Sequence, residues 1–374
     1  MPLSKIQLGN TGRRNLIING AMQVAQRATT VSSLTSTNAY HTCDRFRFQL
    51  NDLGTWELSQ STESPEEEGF NSSFKLNCTT ADTSVAAGSY LIFQQRIEGQ
   101  NVQHLKYGTS SAESLTLSFW IKSVKTGLVS LEFQHKNSGG TYYNRGATFT
   151  INTSNTWEKK IITVPGNTAQ NIKNDASDGL YATFWFTAGS TYSSGTHNTS
   201  AWVTGNSAVR VSSSGVNFAD STNNEIYITG IQLEVGDTAT DFEHRSFGEE
   251  LALCQRYYHE HIRGDSGVRK FVGGGDFYVT TQLNCHVHFP TTMRTTPTLV
   301  QNNGTDFMGW WGGSQSGDIS AAFNLFLPSE NLTSMYVNPD DDPSASGIGA
   351  RVYIKANSAV PGTTGCFLAF NAEL

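Results

Sequence analysis

Alternation of apolar and polar residues is the feature that most constrains the fold of this chain. In the segment ESLTLSFWIKS (113–123), Leu115, Leu117 and Phe119 alternate with polar residues. This pattern predicts an extended strand with one buried face and one face toward water. Comparable segments, separated by turn-forming residues, follow one another at short intervals. About ten such strands are typical of a β-sandwich, so we predict a jelly roll over 41–245.

The last strand of this sandwich contains a change of phase. In NEIYITGIQLEVG (224–236), the apolar residues before Thr229 and those after Gly230 have opposite parity. One extra residue in one strand of a pair produces such a change, and glycine is common there. We therefore predict a β-bulge at these two residues.

One stretch, SFGEELALCQRYY (246–258), has the spacing of a helix instead. Ser246 and Glu249 form a capping box, and the apolar residues that follow recur at intervals of three and four. The pattern predicts a connecting helix over 246–261, with its apolar stripe packed against neighbouring strands. Strand-like segments resume afterwards, which predicts a C-terminal β domain over 262–374 and an all-β protein with one short helix.

Charge and cysteine content exclude several classes of protein. The net charge of −7 argues against nucleic-acid binding, because neutralising phosphates requires clustered Lys and Arg. The five cysteines are widely spaced and fit no disulfide framework or CxxC pair, so we expect buried, reduced thiols. We expect no signal peptide and no membrane insertion, since no window approaches the ~20 apolar residues of a membrane helix.

The first 40 residues are polar and poor in strand signals, and we expect an extended N-terminal arm over 1–40. Residues 1–43 contain Lys5, Arg13, Arg14 and Arg27 and no acidic residue. Such an arm could dock on an acidic partner, or it could be a solvated tail. Both interpretations stay open on charge alone.

Several segments resemble a known family. NLIINGAMQVAQRATT (15–30), followed by CDRFRF (43–48), resembles the opening of many tailed-bacteriophage tail fibre and tail-associated structural proteins, in which an NGxMxVxQR segment precedes a DRF or DRW strand. IQLEVGDTATDFEHRSFGEELALCQRYY (231–258) is similar to the joint that these proteins have between a carbohydrate-binding-module-like β-sandwich and a C-terminal domain. FQQRIEG (93–99), LSFWIKS and the terminal NAEL are also similar to family segments.

The resemblance implies a virion component, in most members a homotrimeric tail fibre or tail appendage made in the host cytoplasm. The N-terminal arm would attach to other tail or capsid proteins, with Arg13, Arg14 and Arg27 as candidate attachment residues. The C-terminal domain would be distal and would contact the host. A structural protein without a receptor, such as a capsid decoration, head fibre or baseplate component, is the alternative.

The segment DFMGWWGG (306–313) is the main binding candidate in the C-terminal domain. Glycines around Trp310 and Trp311 indicate a loop tip, where indole faces can stack on sugar rings. Asp306 would accept hydrogen bonds from hydroxyls, and Phe307 adjoins it. We therefore expect a site for a host cell-surface polysaccharide. Alternatively, one tryptophan is buried and the other packs at a subunit contact.

Two histidine pairs are candidate metal ligands. His286 and His288 in CHVH share one face of a strand, and three such pairs on a trimer axis would supply an octahedral set for iron or nickel. Two histidines at this spacing also arise by chance. His259 and His261 would diverge by about 200° on a continued helix, so they could share a metal only in an extended chain. No other cofactor is expected.

Enzymatic activity is not expected. Glycoside cleavage needs two carboxylates about 5 to 10 Å apart in a groove, and no such pair stands out after residue 262. The sequence also contains no GxSxG elbow for a serine nucleophile. A glycan depolymerase stays as the second alternative to a binding protein.

Overall fold

The computed structural model describes residues 14–264, 270–301, 307–311, 315–319, 323–325, 328–337, 349–354 and 367–374. The chain divides into two compact units, Met1–Glu250 with Leu374, and Leu251–Glu373. Strands dominate both units, which confirms the all-β fold class. Within the described ranges, no helix has the length and apolar character needed to span a bilayer.

The first unit is a sandwich of two antiparallel sheets. Its strands are β1 (Thr30–Leu34), β2 (Thr37–Tyr40), β3 (Phe46–Asn51), β4 (Thr55–Ser61), β5 (Ser73–Thr80), β6 (Tyr90–Glu98), β7 (Leu115–Ser123), β8 (Gly127–Lys136), β9 (Tyr142–Ile151), β10 (Glu158–Val164), β11 (Asp178–Ala188), β12 (Val203–Thr204) and β13 (Glu225–Val235). Helix α1 (Ser190–Ser193) and 3₁₀ helices at Glu66–Glu68, Gly99–Leu105 and Ser207–Val209 complete it.

The strand order of the two sheets confirms the predicted sandwich. One sheet has six strands in the order β1-β4-β5-β13-β7-β10, and the other has seven in the order β12-β9-β8-β11-β6-β3-β2. The chain changes sheet repeatedly, for example between β5 and β6 and again between β6 and β7, as in a jelly roll. Buried aromatic rings fill the space between the sheets, with Phe93 4.8 Å from Phe46 and 4.7 Å from Phe74, centroid to centroid.

The outer side of β7 differs from the sequence prediction. Thr116 and Ser118, expected to face water, are buried. The Thr116 hydroxyl donates to the carbonyl of Gly236 (2.8 Å) and lies 2.9 Å from the hydroxyl of Thr163 on the adjacent strand. The prediction was wrong because the chain that follows β13 covers this part of the sheet, and the alternation pattern cannot show such cover.

The predicted bulge in β13 is confirmed. Pairing of β13 with β7 shifts register between Thr229 and Gln232. Gly230 has φ = 61°, a left-handed conformation that favours glycine. A Cβ added there would lie only 2.6 Å from a ring carbon of Phe70. Both the backbone conformation and the close approach of the ring therefore require glycine.

The expected N-terminal arm is wrong over most of its described part. Leu16, Ile17 and Met22 belong to the core of the sandwich, and the Leu16 amide donates to the carbonyl of Leu233 (2.9 Å). Strands β1 and β2 then form one edge of each sheet. Burial of Leu16 and Ile17 removes their apolar surface from water, which favours packing of this segment in the core over an extended arm. Residues 1–13 lie outside the described residues.

The helix is shorter than predicted. Helix α2 (Phe247–Gln255) begins with the expected capping box, in which the Glu249 amide donates to the Ser246 hydroxyl (3.3 Å) and the Ser246 amide donates to the Glu249 carboxylate (2.9 Å). Phe247, the first residue of the predicted apolar stripe, is 57% exposed. Residues 258–261 are not helical; they belong to strand β14 (Tyr258–Arg263), because they pair with the last strand of the chain.

The second unit is also built from sheets, as predicted, although it starts at Leu251 rather than 262. After β14 its strands are β15 (Lys270–Val279), β16 (Gln282–His288), β17 (Thr298–Gln301), β18 (Phe307–Trp311), β19 (Gln315–Ile319), β20 (Asn324–Leu325), β21 (Leu332–Val337), β22 (Gly349–Ile354) and β23 (Phe367–Asn371). They form a three-stranded sheet, β14-β23-β17, and a seven-stranded sheet, β19-β18-β22-β15-β16-β21-β20.

Candidate functional site

The outer face of the seven-stranded sheet in the first unit carries a groove of about 350 Å³. We call it the sheet groove. Strands β3, β6, β8, β9 and β11 supply most of its lining, and the segment between β11 and β13 supplies the rest. The lining residues are Gln49, Tyr90, Ile92, Gln94, Arg96, Gln134, Tyr142, Tyr181, Thr183, Trp185, Tyr192 and Arg210.

Strand periodicity and register bring these side chains together. In β6, every second residue from Tyr90 to Arg96 lines the groove, while Leu91 and Phe93 between them belong to the core. Antiparallel pairing of β6 with β11 then places Gln94 beside Thr183 and Arg96 beside Tyr181. The groove is therefore formed from residues that are far apart in the sequence.

Three aromatic side chains cluster at one end of the groove. The ring of Trp185 lies 6.3 Å from that of Tyr90 and 5.2 Å from that of Tyr192, and the two tyrosine rings are 5.7 Å apart. Tyr192 comes from helix α1, so the long segment after β11 completes the groove. Tyr90 and Tyr192 are half-buried and present part of their rings to solvent, whereas Trp185 is only 3% exposed.

A second aromatic pair lies four residues away along β11, about 13 Å at the usual rise of a strand. The rings of Tyr142 and Tyr181 are 6.0 Å apart, and both hydroxyls donate to the carboxylate of Asp178. Tyr142 is half-buried, and Tyr181 is 3% exposed. Each end of the groove therefore combines one deeply buried aromatic ring with at least one partly exposed tyrosine.

Polar side chains form the floor between the two aromatic groups. The Gln94 amide donates to the hydroxyl of Thr183 (2.7 Å), and the Gln134 amide donates to the side-chain oxygen of Asn144 (3.1 Å). These hydrogen bonds hold the amides in fixed orientations. Such a floor offers donors and acceptors to hydroxyl groups, while the tyrosine rings offer apolar faces to C–H groups.

A buried carboxylate anchors this part of the groove. Glu132, on β8, is 1% exposed. Arg210 donates to both of its oxygens, from Nε (2.8 Å) and Nη2 (2.6 Å), and the Trp185 indole N–H donates to one of them (3.1 Å). Asn144 also donates to it. The guanidinium of Arg210 and the ring of Trp185 are thus held by one buried group.

The candidate attachment residues are engaged within the first unit where they are described. The Arg14 guanidinium donates to the carbonyl of Asp241 (3.1 Å). Arg27 forms an ion pair with the buried Asp44 (3.6 Å) and lies over the ring of Tyr40. Arg13 lies outside the described residues. An attachment role for these three arginines stays a prediction.

The candidate glycan residues of the C-terminal domain are placed only in part. Trp310 and Trp311 are the last two residues of strand β18, and their side chains lie outside the described part of the structure, as does Asp306. Phe307 is fully buried, with its ring 5.0 Å from that of Phe323. The assignment of Phe307 to a binding surface is therefore wrong, because the residue is part of the core of the second unit.

The histidine pairs lie on strands. His286 and His288 are both exposed on β16, and His286 Nδ1 lies 2.8 Å from the hydroxyl of Ser334. His259 and His261 lie on extended β14 with rings 5.8 Å apart, and burial lowers the pKa of both, that of His259 to about 4. Among the described residues, no group of three or more His, Cys, Asp or Glu could hold a metal ion.

The thiol prediction is confirmed for four of the five cysteines. Cys43, Cys78, Cys254 and Cys285 are buried thiols that form no disulfide, and Cys366 lies outside the described residues. Burial raises the pKa of the Cys78 thiol to about 11 and that of Cys285 to about 12. The thiols of Cys78 and Cys285 are therefore protonated at neutral pH, which makes them poor nucleophiles.

No known protein family matches the chain, and no curated protein matches it. Among solved structures, it is similar to the enzymatically active domain of tailspike protein 4 of bacteriophage CBA120, with 14% identity over 59% of this chain and 21% of that chain and a TM-score of 0.31. It is similar to the C-terminal family 22 carbohydrate binding module of Clostridium thermocellum Xyn10B, with 12% identity, coverage of 52% and 88%, and a TM-score of 0.29. It is also similar to the CBM22-2 xylan-binding domain of Paenibacillus barcinonensis Xyn10C, with 13% identity over 50% of this chain and 91% of that chain and a TM-score of 0.27.

Proposed function

We propose that this protein binds an oligosaccharide in the sheet groove of its first unit. The observation that carries the proposal is the arrangement of Tyr90, Tyr142 and Tyr192, three half-buried rings around a floor of oriented amides. Sugars present alternating C–H and hydroxyl surfaces, and this combination of apolar rings and fixed polar groups is suited to both. Burial raises the pKa of Tyr90, so its hydroxyl stays a proton donor at neutral pH.

We further propose that the protein acts on a bacteriophage particle, as a homotrimeric tail fibre or tail appendage that recognises a host surface polysaccharide. Support comes from the segments of the sequence that resemble tail fibre proteins. A second glycan contact at Trp310 and Trp311 in the C-terminal unit stays part of this proposal. Localisation on the particle by cryo-electron microscopy separates it from a capsid-decorating or baseplate protein.

Binding without cleavage is also part of the proposal. Two carboxylates contact residues that line the groove, and both are already engaged. Glu132 is held by Arg210 and Trp185, and Asp178 accepts from the hydroxyls of Tyr142 and Tyr181. Incubation with host polysaccharide should therefore produce no new chain ends. The appearance of shortened chains would instead support a depolymerase.

Paired substitutions test which unit binds glycan. Tyr90→Ala combined with Tyr142→Ala should weaken binding to an array of bacterial surface polysaccharides about tenfold to hundredfold, since each ring contributes roughly 0.5–1.5 kcal/mol. Trp157→Ala is the matched control, because Trp157 is a half-buried aromatic residue outside the groove whose ring packs against that of Tyr227. Trp310→Ala combined with Trp311→Ala tests the second contact.

The outcomes separate the two sites. Loss of array binding in the groove variant, with the control unchanged, supports the sheet groove. Retention of full binding in the groove variant, with loss in the Trp310 and Trp311 variant, would contradict the groove and place recognition in the second unit. Circular dichroism and the oligomeric state of each variant show whether a loss of binding reflects a loss of fold.

A further inference from the structure

The two most deeply buried aromatic rings of the sheet groove are each covered by an arginine. The guanidinium of Arg96 lies 5.0 Å from the centre of the Tyr181 ring, and that of Arg210 lies 4.9 Å from the centre of the Trp185 ring. This cover is consistent with the low exposure of both rings, 3% each. At these two positions the groove presents a cation to a ligand, where a groove for neutral sugars would present a bare ring face.

We propose that the ligand of the sheet groove is an acidic saccharide, one that carries carboxylate or sulfate groups. This inference rests on the proposed function of the groove and specifies its ligand class. The lining residues include two arginines and no Asp or Glu, although the whole chain has 25 basic and 32 acidic residues. The groove is therefore more basic than the protein as a whole, which favours an anionic partner.

Arg96 carries most of this argument because no Asp or Glu side chain in the described part of the chain pairs with it, and Leu374, the last residue of the sequence, contacts it through a main-chain oxygen alone. Its Nε donates to the side-chain oxygen of Gln94 (2.9 Å), and Nη1 donates to the main-chain oxygen of Leu374 in the same unit (3.3 Å). A guanidinium has five N–H donors, so three are left for a ligand. Gln94 and Tyr181 hold the group in place before a ligand binds, which reduces the entropy lost on binding.

Arg210 has a different role from Arg96. Its Nε and one Nη2 hydrogen are bound by Glu132, which offsets its charge and fixes its orientation. The remaining three donors are available to hydroxyl, carboxylate or sulfate oxygens. The two guanidinium groups cover rings four residues apart along β11, about 13 Å, so one oligosaccharide could contact both. Arg96 supplies the charge preference, and Arg210 supplies fixed donors.

Binding of matched acidic and neutral ligands tests the inference with the unaltered protein. The probes are uronic-acid oligosaccharides with their carboxyl-reduced counterparts, and sulfated oligosaccharides with their unsulfated parents. We expect about tenfold to hundredfold tighter binding of at least one acidic set than of its neutral partners, as charge-assisted hydrogen bonds give. Raising NaCl from about 50 to 500 mM should weaken that binding, because salt screens exposed charges.

A substitution then assigns the preference to a residue. Arg96→Gln, which keeps a hydrogen-bond donor and removes the charge, should reduce the acidic-to-neutral ratio about tenfold or more. Lys75→Gln is the matched control, because the Lys75 ammonium lies 5.2 Å from the centre of the Tyr227 ring and is not among the residues that line the groove. Arg210 is not used, since its removal would leave Glu132 without its cation.

Each outcome bears on one of the two proposals. Equal binding of acidic and neutral partners would overturn the acidic preference and leave the glycan-binding function intact. An acidic preference that persists unchanged in Arg96→Gln would overturn the assignment to the groove. Absence of binding to every probe, acidic and neutral, would contradict the proposed function itself.

Discussion

Replacement of Glu132 by alanine should lower the free energy of unfolding of the first unit by about 3–5 kcal/mol, the usual cost of removing one partner of a buried ion pair. The substitution leaves the guanidinium of Arg210 without its carboxylate and the indole N–H of Trp185 without its acceptor. Urea denaturation of the full chain measures the change. Tryptophan fluorescence is a suitable signal because five of the seven tryptophans belong to the first unit.

Glu113→Ala provides the matched control for this measurement. Glu113 forms an ion pair with Lys106 (2.7 Å), but the two side chains are 39% and 54% exposed. Exposed pairs of this kind contribute about 0–1 kcal/mol. If Glu132→Ala is no more destabilising than Glu113→Ala, Glu132 does not anchor the groove in the way the structure indicates.

Acidification should destabilise the first unit through His135. This residue is fully buried in the sandwich, and burial lowers its pKa from about 6.5 to about 4. Neutral His135 therefore contributes stability that is present above pH 6.5 and is lost as the pH falls toward 4, where the unfolded chain binds a proton more readily than the folded one. We expect the free energy of unfolding to fall by about 2 kcal/mol by pH 5, and by about 3 kcal/mol once the pH is below 4.

The hydrogen bond from Asn167 determines which nitrogen of neutral His135 carries the proton. The Asn167 side-chain oxygen accepts from the amides of Ala169 (3.0 Å) and Gln170 (3.2 Å), which turns its NH₂ group toward His135 Nε2 (2.9 Å). Nε2 is therefore the acceptor, and the single proton is on Nδ1. A second proton on Nε2 would oppose the Asn167 donor, so charging the ring would break this contact as well as bury a charge.

The variant His135→Phe separates this effect from other titrations. The variant should be less stable than the unaltered protein at neutral pH, because the Asn167 amide loses its acceptor. Phenylalanine does not titrate, however. The unfolding free energy of the variant should fall less between pH 7 and pH 5 than that of the unaltered protein, by about 2 kcal/mol. Equal slopes for the two proteins would show that His135 does not drive the acid sensitivity.

Local sequence patterns predicted the architecture of the first unit well. Alternation marked β7, the phase change marked the bulge at Gly230, and Ser246 with Glu249 marked the start of the helix. Each of these features is set by residues within one strand or one turn. Such short-range patterns are readable from a single sequence because the physical cause and the pattern lie in the same segment.

The sheet groove could not be predicted in the same way, because it depends on the pairing of distant strands. Tyr90 and Trp185 lie 95 positions apart in the sequence, and Arg210 reaches Glu132 from a segment without regular alternation. One local signal was present: most residues of outward parity that line the groove are large, with Tyr90, Gln94 and Arg96 on one strand and Tyr181 and Trp185 on the other. Only the pairing register of β6 with β11 shows that these two rows of side chains are adjacent.

The errors of prediction have a common cause in tertiary pairing. Residues 258–261 were predicted to end the helix, but pairing with β23 makes them a strand. The segment around NLII was predicted to be an arm, but its apolar residues belong to the core of the sandwich. In both cases, contacts with a distant segment determine the conformation and override the local pattern.

The two ends of the first unit lie next to each other, and this has a consequence for how the unit can be exchanged in evolution. The Asn15 amide donates to the Glu243 carboxylate (2.8 Å), and the Arg245 guanidinium donates to the Asn15 carbonyl (2.6 Å), so the chain enters and leaves the sandwich at one place. A folded body with adjacent ends can be exchanged between genes as a single cassette, without disturbing whatever precedes or follows it. Recombination at this point would exchange the whole sandwich, together with the groove that it carries, in one step.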